Sequence, residues 1–448
     1  MLQIAHTSKT QTKVEVKMVD NVQKVAEYNL CCGCGTCASV CPTDAIEIVV
    51  SEGIYIPKVD GESCTRCGLC VECCPGFSVD FEDLNQRVFG VQPSDKVIGN
   101  YLGCYVGHST DDFLRFNCSS GGIATQLLIF ALENHMVDGV LVTRMMKNNP
   151  LEPEAFIART REELTSALGS KYCPVSTNVK LKEILRQNGR FAVVGLPCQI
   201  HGIRKAARVF KPLDRKIVLY LGLLCSHMVS FDGTDLLLKK KGLKREQVRK
   251  ISYRGKGWPG SMSIEMKDGL TLSLPLVASW NAYWPVFSSF FFTPLRCTMC
   301  PDQTAELADI SLGDAWLPEF KLEKKGASIV ISRTRRGKNL LDDAVSARAI
   351  SLVPANIGKV RQSQFTNLKF KKDDLGYRLR FLRFIGRKTP LFNPNIKSSF
   401  KLASTLRALY IYVNIKVSSK RLFRRLLSRV PLPLIRLYYG VYKALCYV

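Results

Sequence analysis

The sequence predicts an α+β and α/β architecture: a small cysteine-rich domain, then a larger mixed α/β domain, then a basic helical C-terminal tail. Three observations predict it. Ten cysteines fall between residues 29 and 80, in a pattern that occurs twice. From about 100 to 350, short aliphatic and β-branched runs alternate with segments of helical period. From 371 onward, apolar residues interleave with eighteen Lys and Arg against only Asp373 and Asp374. The implied divisions are 1–28, a leader strand and linker; 29–80, the cysteine-rich domain; 95–370, the α/β domain; and 371–448, the tail.

The cysteine repeat is C-x2-C-x2-C-x3-C-P. Its first copy is Cys31, Cys34, Cys37, Cys41 and Pro42, and its second is Cys64, Cys67, Cys70, Cys74 and Pro75. Three cysteines at this spacing wrap one [4Fe-4S] cubane, and the fourth, held off by the proline turn, reaches the other cluster. A bacterial-ferredoxin-like dicluster domain is therefore expected, with Cys31, Cys34, Cys37 and Cys74 on one cluster and Cys64, Cys67, Cys70 and Cys41 on the other. Gly33, Gly35 and Gly68 let the backbone approach the inorganic sulfide. Zinc sites also use C-x2-C groups, but as two separated pairs rather than this triple followed by C-P. Cys32 and Cys73, next to ligands, read as spectators.

Bulk properties exclude several classes. A chain of 448 residues buries a core without disulfide staples. Eighteen cysteines grouped as C-x2-C therefore point to a reducing compartment, not a secreted framework. The first twenty residues lack the apolar core of a signal peptide. No run reaches the roughly 18 apolar residues of a membrane span, since 280–292 is short and broken by Asn281 and Pro285. A cytoplasmic protein is the expectation. The net charge of +26 calls for an anionic partner, and its concentration in the tail directs attention there.

In the α/β region, strands are expected at 137–143, 191–194, 217–224 and 328–332, with helices at 123–134 and 177–187. The segment NCSSGG at 117–122 opens the apolar helix. Small and hydroxyl residues there expose N–H donors to a phosphate or a flavin edge, and they equally make an ordinary helix cap. A second glycine turn, LGSKY at 168–172, adds Lys171, which is either a phosphate or flavin partner or simply solvated. Cys198 and Cys225 end two strands, and Cys297 and Cys300 form a further C-x2-C pair. Together they supply four thiolates for a third cluster; singly, each reads as a buried apolar residue.

The segments SSGGIATQLLIFALENHMVDGVLV, LGSKY, VVGLPCQIHGIRKA, LGLLCSH, YRGKGWPG, CTMC, ADISLGDAW and GASIVISRT resemble the family of coenzyme F420 hydrogenase and dehydrogenase beta subunits, over roughly 100–370. The resemblance implies a flavin-binding α/β domain with FAD at Ser119, Ser120, Gly121, Gly122, Ser170 and Lys171. It also implies a cluster at Cys198, Cys225, Cys297 and Cys300. A flavin belongs between a two-electron hydride donor and one-electron clusters. Asp314 and Trp316 are candidates for closing the pocket. His108, His201 and His227 serve proton transfer or structure.

The tail beyond 370 lies outside the resemblance. It reads either as a basic amphipathic element on an anionic membrane surface at the inner face of the cell membrane, or as a helical hairpin on the protein's own core or a partner subunit. No base-reading module suggests nucleic acid. The functional expectation is an iron–sulfur flavoprotein oxidoreductase that moves electrons between a hydride carrier, coenzyme F420 among the candidates, and its clusters or a protein partner such as ferredoxin. Two alternatives stay open. One is a ferredoxin-dependent reductase of an organic substrate in polysaccharide or pigment metabolism; the other is a non-catalytic electron-transfer component of a membrane-associated complex.

Overall fold

A computed structural model describes residues 19–277, 279–396 and 401–447. The first eighteen residues of the expected leader lie outside the described residues. Helix Val22–Glu27, whose N-cap Asn21 accepts from the Gln23 N–H at 2.9 Å, opens the cysteine-rich part. The hairpin of β1 (Ile46–Ser51) and β2 (Ile54–Val59) turns at Glu52 and Gly53, both at positive φ, as a two-residue hairpin loop requires. The internal repeat is visible in the backbone. Gly35 and Gly68, at φ +82° and +76°, each lead into a short helix, Thr36–Val40 and Leu69–Glu72, that carries the third cysteine of its copy.

After β3 (Ser78–Asp80) the chain builds β4 (Gly103–Ser109), β5 (Gly139–Met145), β6 (Pro153–Ala158), β7 (Phe191–Gly195) and β8 (Ile217–Leu223). There follow β9 (Val248–Ser252), β10 (Ser261–Met266), β11 (Thr271–Pro275), β12 (Ile310–Asp314), β13 (Ser328–Ser332), β14 (Ile350–Ala355) and β15 (Leu391–Asn393). Eight of them form one mixed sheet in the order β14-β4-β13-β12-β8-β7-β5-β6. Its centre, β12-β8-β7-β5, is parallel, and antiparallel strands flank it on both sides. The strands β9, β10 and β11 make a separate antiparallel sheet.

Side-chain alternation assigns the two faces of the large sheet. Val140, Val142, Ala192, Leu219 and Leu221 face helices Ile123–Glu133 and Arg335–Ser346. Leu141, Phe191, Val193 and Tyr220 face the other way, onto helices Leu181–Arg186 and Pro197–Val209. That second core also contains Val22, Val25, Leu30 and Val71 of the cysteine-rich part, so the two parts share buried apolar surface. The shared core fixes the distance between their cysteines.

The tail returns to this body. β15 pairs in parallel with β3, and helix Leu375–Phe384 buries Leu375, Leu379 and Leu382 in the shared core. Helices Leu402–Ser418, Arg421–Arg429 and Leu432–Tyr447 follow. Their inner sides pack on the protein's own core, as one of the two readings of the tail expected: Tyr442 meets Phe290 edge-on at 5.2 Å, and Tyr438 stacks on Phe291 at 6.0 Å. Among the described residues no helix is long and apolar enough to cross a membrane.

Candidate redox site

Five of the first-part cysteines, the four expected ligands Cys31, Cys34, Cys37 and Cys74 together with Cys32, line one small cavity with Gly33, Gly35 and Pro75. The Gly33 N–H donates to Cys31 Sγ at 3.3 Å, and Cys34 Sγ lies 3.2 Å from Thr36 Oγ1. Burial, then the neighbouring thiols, pushes Cys31 and Cys37 far above the ordinary thiol range. Four thiols that resist ionisation together are what a cationic cluster core relieves, because its ligands bind as thiolates. The other set is nearer solvent. Cys41 and Cys70 are buried, Cys64 is half-buried and Cys67 is exposed. The loops of Cys41 and Cys64 are joined through Thr43, whose hydroxyl donates to Ser63 O at 2.8 Å. Burial raises Cys70 to about 11.

The second part brings Cys198, Cys225, Cys297 and Cys300 together. Cys198 begins the helix after β7, Cys225 follows β8, and the two strands are parallel neighbours, so both cysteines emerge at the carboxyl end of the sheet. Cys297 lies in the 3₁₀ turn Leu295–Met299, which Cys300 closes. Burial, with the nearby Cys297 and Cys300, raises Cys225 to about 12, while Lys371 acts in the opposite sense. The Lys371 ammonium donates to Cys297 O at 3.2 Å and Arg378 Nε to Thr298 O at 2.9 Å, so two buried cations face this set. Among the described residues no group of His, Cys, Asp and Glu is placed to hold a single metal ion.

The sets are joined. The Cys32 thiol is close enough to both Cys34 and Cys198 for their ionisations to shift one another, and so lies between the first set and the third. Cations of the second part also grip the carbonyls of the cysteine loops. Lys205 donates to Cys74 O at 2.8 Å, Lys182 to Cys41 O at 3.3 Å, and Arg296 to Pro75 O and Gly76 O at 2.8 and 3.0 Å. Helix Thr36–Val40 is seated by Asn178, which donates its N–H to Cys34 O and its Nδ2 to Thr36 Oγ1. No local sequence pattern marks these cations, because their role depends on which carbonyls the fold brings near.

A cavity of about 960 Å³ extends from the start of helix Ile123–Glu133 to Cys225. Ser119, Ser120, Gly122, Ser170, Lys171, Asp314, Trp316 and His227 line it. Gly121 stands behind the wall, where an added Cβ would lie 2.7 Å from Gly107 O. The two glycine turns meet, since the Ser170 N–H donates to Ser119 Oγ at 2.7 Å. Burial lowers Lys171 to about 8, and its ammonium donates to the carbonyls of Ala167, Leu168 and Gly169, closing its own turn.

The residue that sequence reasoning missed is Arg254, in the YRGKGWPG segment. It also lines the cavity, with Nε donating to Pro259 O at 2.8 Å and Nη1 paired with Asp314 Oδ2 at 2.6 Å. Its Nη2 is buried with no partner among the described residues. The tail contributes Arg436, Tyr439 and Lys443 to the same cavity. An unpaired guanidinium nitrogen, glycine turns at a helix start and this volume fit a dinucleotide-sized anion with an apolar ring. Trp258 and Trp316 pack on each other, with ring centroids 4.5 Å apart, and both lie beside the guanidinium, at 5.0 and 5.5 Å.

The histidines are engaged structurally. His201 Nε2 is 2.8 Å from Asp302 Oδ2, both buried. His227 contacts Phe287 O and Ser226 Oγ, and burial lowers it to about 4, so it is neutral at pH 7. His108 Nδ1 lies 2.9 Å from Ser109 O.

Residues 104–182 and 188–357 match the profiles of the N-terminal and C-terminal parts of the coenzyme F420 hydrogenase/dehydrogenase beta subunit. Residues 30–77 match a 4Fe-4S dicluster domain, and a second such profile matches 2–45. The chain is 32% identical over 267 residues to the coenzyme F420 hydrogenase subunit beta of Methanothermobacter thermautotrophicus, covering 58% of this chain and 86% of that protein. It is 28% identical over 345 residues to a subunit of the F(420)H(2) dehydrogenase of Methanosarcina mazei, covering 72% and 85%. A chain of the F420-reducing [NiFe] hydrogenase complex from Methanosarcina barkeri superposes with a TM-score of 0.52 at 25% identity, covering 67% of this chain and 98% of that one. With its dicluster cysteines and its α/β half both matched, the chain belongs to the family of coenzyme F420 hydrogenase/dehydrogenase beta subunits, which are iron–sulfur oxidoreductases.

Proposed function

We propose that this protein is a cytoplasmic iron–sulfur flavoprotein that moves electrons between a soluble hydride carrier, coenzyme F420, and a protein acceptor or donor, either a ferredoxin or a partner subunit. The observation that carries the reading is one cavity reaching from the glycine turns at Ser119–Gly122 and Gly169–Lys171 to Cys225. In this reading 29–80 holds two [4Fe-4S] clusters on Cys31, Cys34, Cys37 and Cys74, and on Cys64, Cys67, Cys70 and Cys41. A third is held by Cys198, Cys225, Cys297 and Cys300 within 95–370, and 371–448 is the tail.

FAD, when bound, supplies the exchange between two-electron hydride chemistry and one-electron steps. The chain's own part is to hold and shield it. The N–H groups of Ser119, Ser120 and Gly122 and the unpaired Nη2 of Arg254 would bind its anionic and carbonyl groups, Gly121 keeps the backbone close, and Ser170 and Lys171, whose own N–H groups are spent within the turns, shape the second turn. Trp316, backed by Trp258, walls one side, and neutral His227 supplies no charge beside Cys225. F420 as the carrier follows from the names of the relatives. A second reading, a reductase of another organic substrate, is favoured by Arg436, Tyr439 and Lys443, since these cavity residues lie beyond the matched 188–357.

The test is anaerobic: the purified holoprotein is mixed with reduced F420 or with reduced ferredoxin in separate cuvettes. Bleaching of the flavin and cluster bands by reduced F420 within one turnover supports the proposal. Bleaching only by ferredoxin transfers support to the second reading.

A further inference from the structure

Helix Leu402–Ser418 is inverted in polarity. Its buried stripe is Ser404, Arg407, Ala408, Ile411, Asn414 and Ser418, four of the six polar, while its outward stripe at i, i+4, i+7 and i+11 is Leu402, Leu406, Leu409 and Val413, each more than 40% exposed. The polar stripe is fully engaged. Arg407 forms a bidentate pair with Asp374, Asn414 Nδ2 donates to Ser289 O at 2.7 Å, and Ser418 Oγ accepts from the Phe292 N–H at 3.0 Å. Docking therefore adds these hydrogen bonds to the apolar contact of Ile411 with Phe290 and Phe370, and the outer aliphatic face is left in water.

The pattern continues. Helix Arg421–Arg429 exposes Leu422 and Leu426 between Arg421, Arg425 and Arg429. Helix Leu432–Tyr447, which stacks on the first through Tyr410 and Tyr442 at 5.3 Å, exposes Leu434, Leu437 and Val441. From 401 to 448 there are ten Lys and Arg and no Asp or Glu. Seven of those cations are exposed.

We propose that the outer aliphatic faces of the three tail helices, bordered by exposed lysines and arginines with no carboxylate among them, rest in the headgroup boundary of an anionic lipid bilayer as a peripheral, in-plane anchor. Aliphatic stripes enter the acyl boundary and cations contact anionic headgroups. Besides Asp374 on the buried Arg407, Asp373 beside Lys401 and Asp232 beside Arg424 are the carboxylates near these helices. The remaining exposed cations are spread along all three, which suits the distributed charge of an anionic bilayer better than the localised carboxylates of a protein partner. The helices lie in the plane, because none is long and apolar enough to cross. The inference does not depend on which carrier the cavity takes.

Flotation of the full-length holoprotein with phosphatidylglycerol-containing and pure phosphatidylcholine vesicles, at low and high salt, tests it. Binding is expected on the anionic vesicles only, weakened by salt. Leu406→Ser with Leu409→Ser lowers partitioning about tenfold at low salt. Arg425→Gln with Arg429→Gln, two of the seven exposed cations, lowers binding to the anionic vesicles about tenfold or more at low salt. Unchanged iron content and visible spectrum show that each variant keeps its fold. The proposal is overturned by failure of the wild type to float with anionic vesicles, by flotation that neither variant alters, or by the leucine variants converting a dimer to a monomer, which would make the face a contact between copies.

Discussion

Replacing Arg254 by Met removes what is, among the described residues, the one guanidinium whose outer nitrogen is buried without a partner while it lines the cavity. The magnitude follows from its contacts. Nε and Nη1 are occupied by Pro259 O and Asp314, so only Nη2 is free to meet a ligand. A hydrogen bond from a charged donor contributes about 1.5–3 kcal/mol, which is roughly a 10- to 150-fold change in flavin affinity. The Met variant also strands Asp314, whose side chain is only 22% exposed, so some of the loss will appear as stability. Arg254→Lys separates the two effects, because an ammonium still pairs with Asp314 but cannot present the second nitrogen of the fork. Fluorescence titration of deflavinated protein with FAD reads the affinity, and iron content reads the fold. The reasoning predicts weak flavin binding with full iron in both variants, Met being the weaker. FAD affinity within twofold of wild type in Arg254→Met would refute it.

Asp374→Leu and Arg407→Leu each break a buried bidentate pair and are expected to cost about 3–5 kcal/mol, the double variant much less than their sum; urea unfolding and proteolysis of the tail measure it. Gly202→Ala places a Cβ 2.3 Å from Thr36 Oγ1, where helix Pro197–Val209 meets the cysteine-rich part, and should lower stability by about 1–3 kcal/mol while making dicluster iron easier to chelate. Cys198→Ala is expected to remove about four irons, and Cys32→Ala, its thiol neighbour, none; iron analysis of the two proteins checks the assignment.

Features written in contiguous residues were legible. The strand at 328–332 and the helix at 123–134 appear as Ser328–Ser332 and Ile123–Glu133, and 217–224 as Ile217–Leu223, because period and β-branching act locally. The repeat was equally legible, as Gly35 and Gly68 carry the same left-handed turn. Pairing across long separations was not. The helix expected at 177–187 divides into a 3₁₀ turn, Thr177–Lys180, and a helix, Leu181–Arg186, because the Asn178 N–H and side chain are drawn to Cys34, Thr36 and Gln199. The pairing of β15 with β3 joins residues more than three hundred apart and leaves no local trace. Arg254 escaped for the same reason: its value lies in an unpaired nitrogen that only the assembled cavity reveals. Cys32, read as a spectator from its place beside Cys31, is a neighbour of Cys198 in the third cysteine set once the two parts are docked.

The most direct test of the account is the iron, sulfide and flavin content of the anaerobically purified protein. Three [4Fe-4S] clusters and one FAD predict about twelve irons, about twelve sulfides and one flavin per chain. About eight irons with no flavin would contradict it, leaving a dicluster electron carrier whose cavity serves something else.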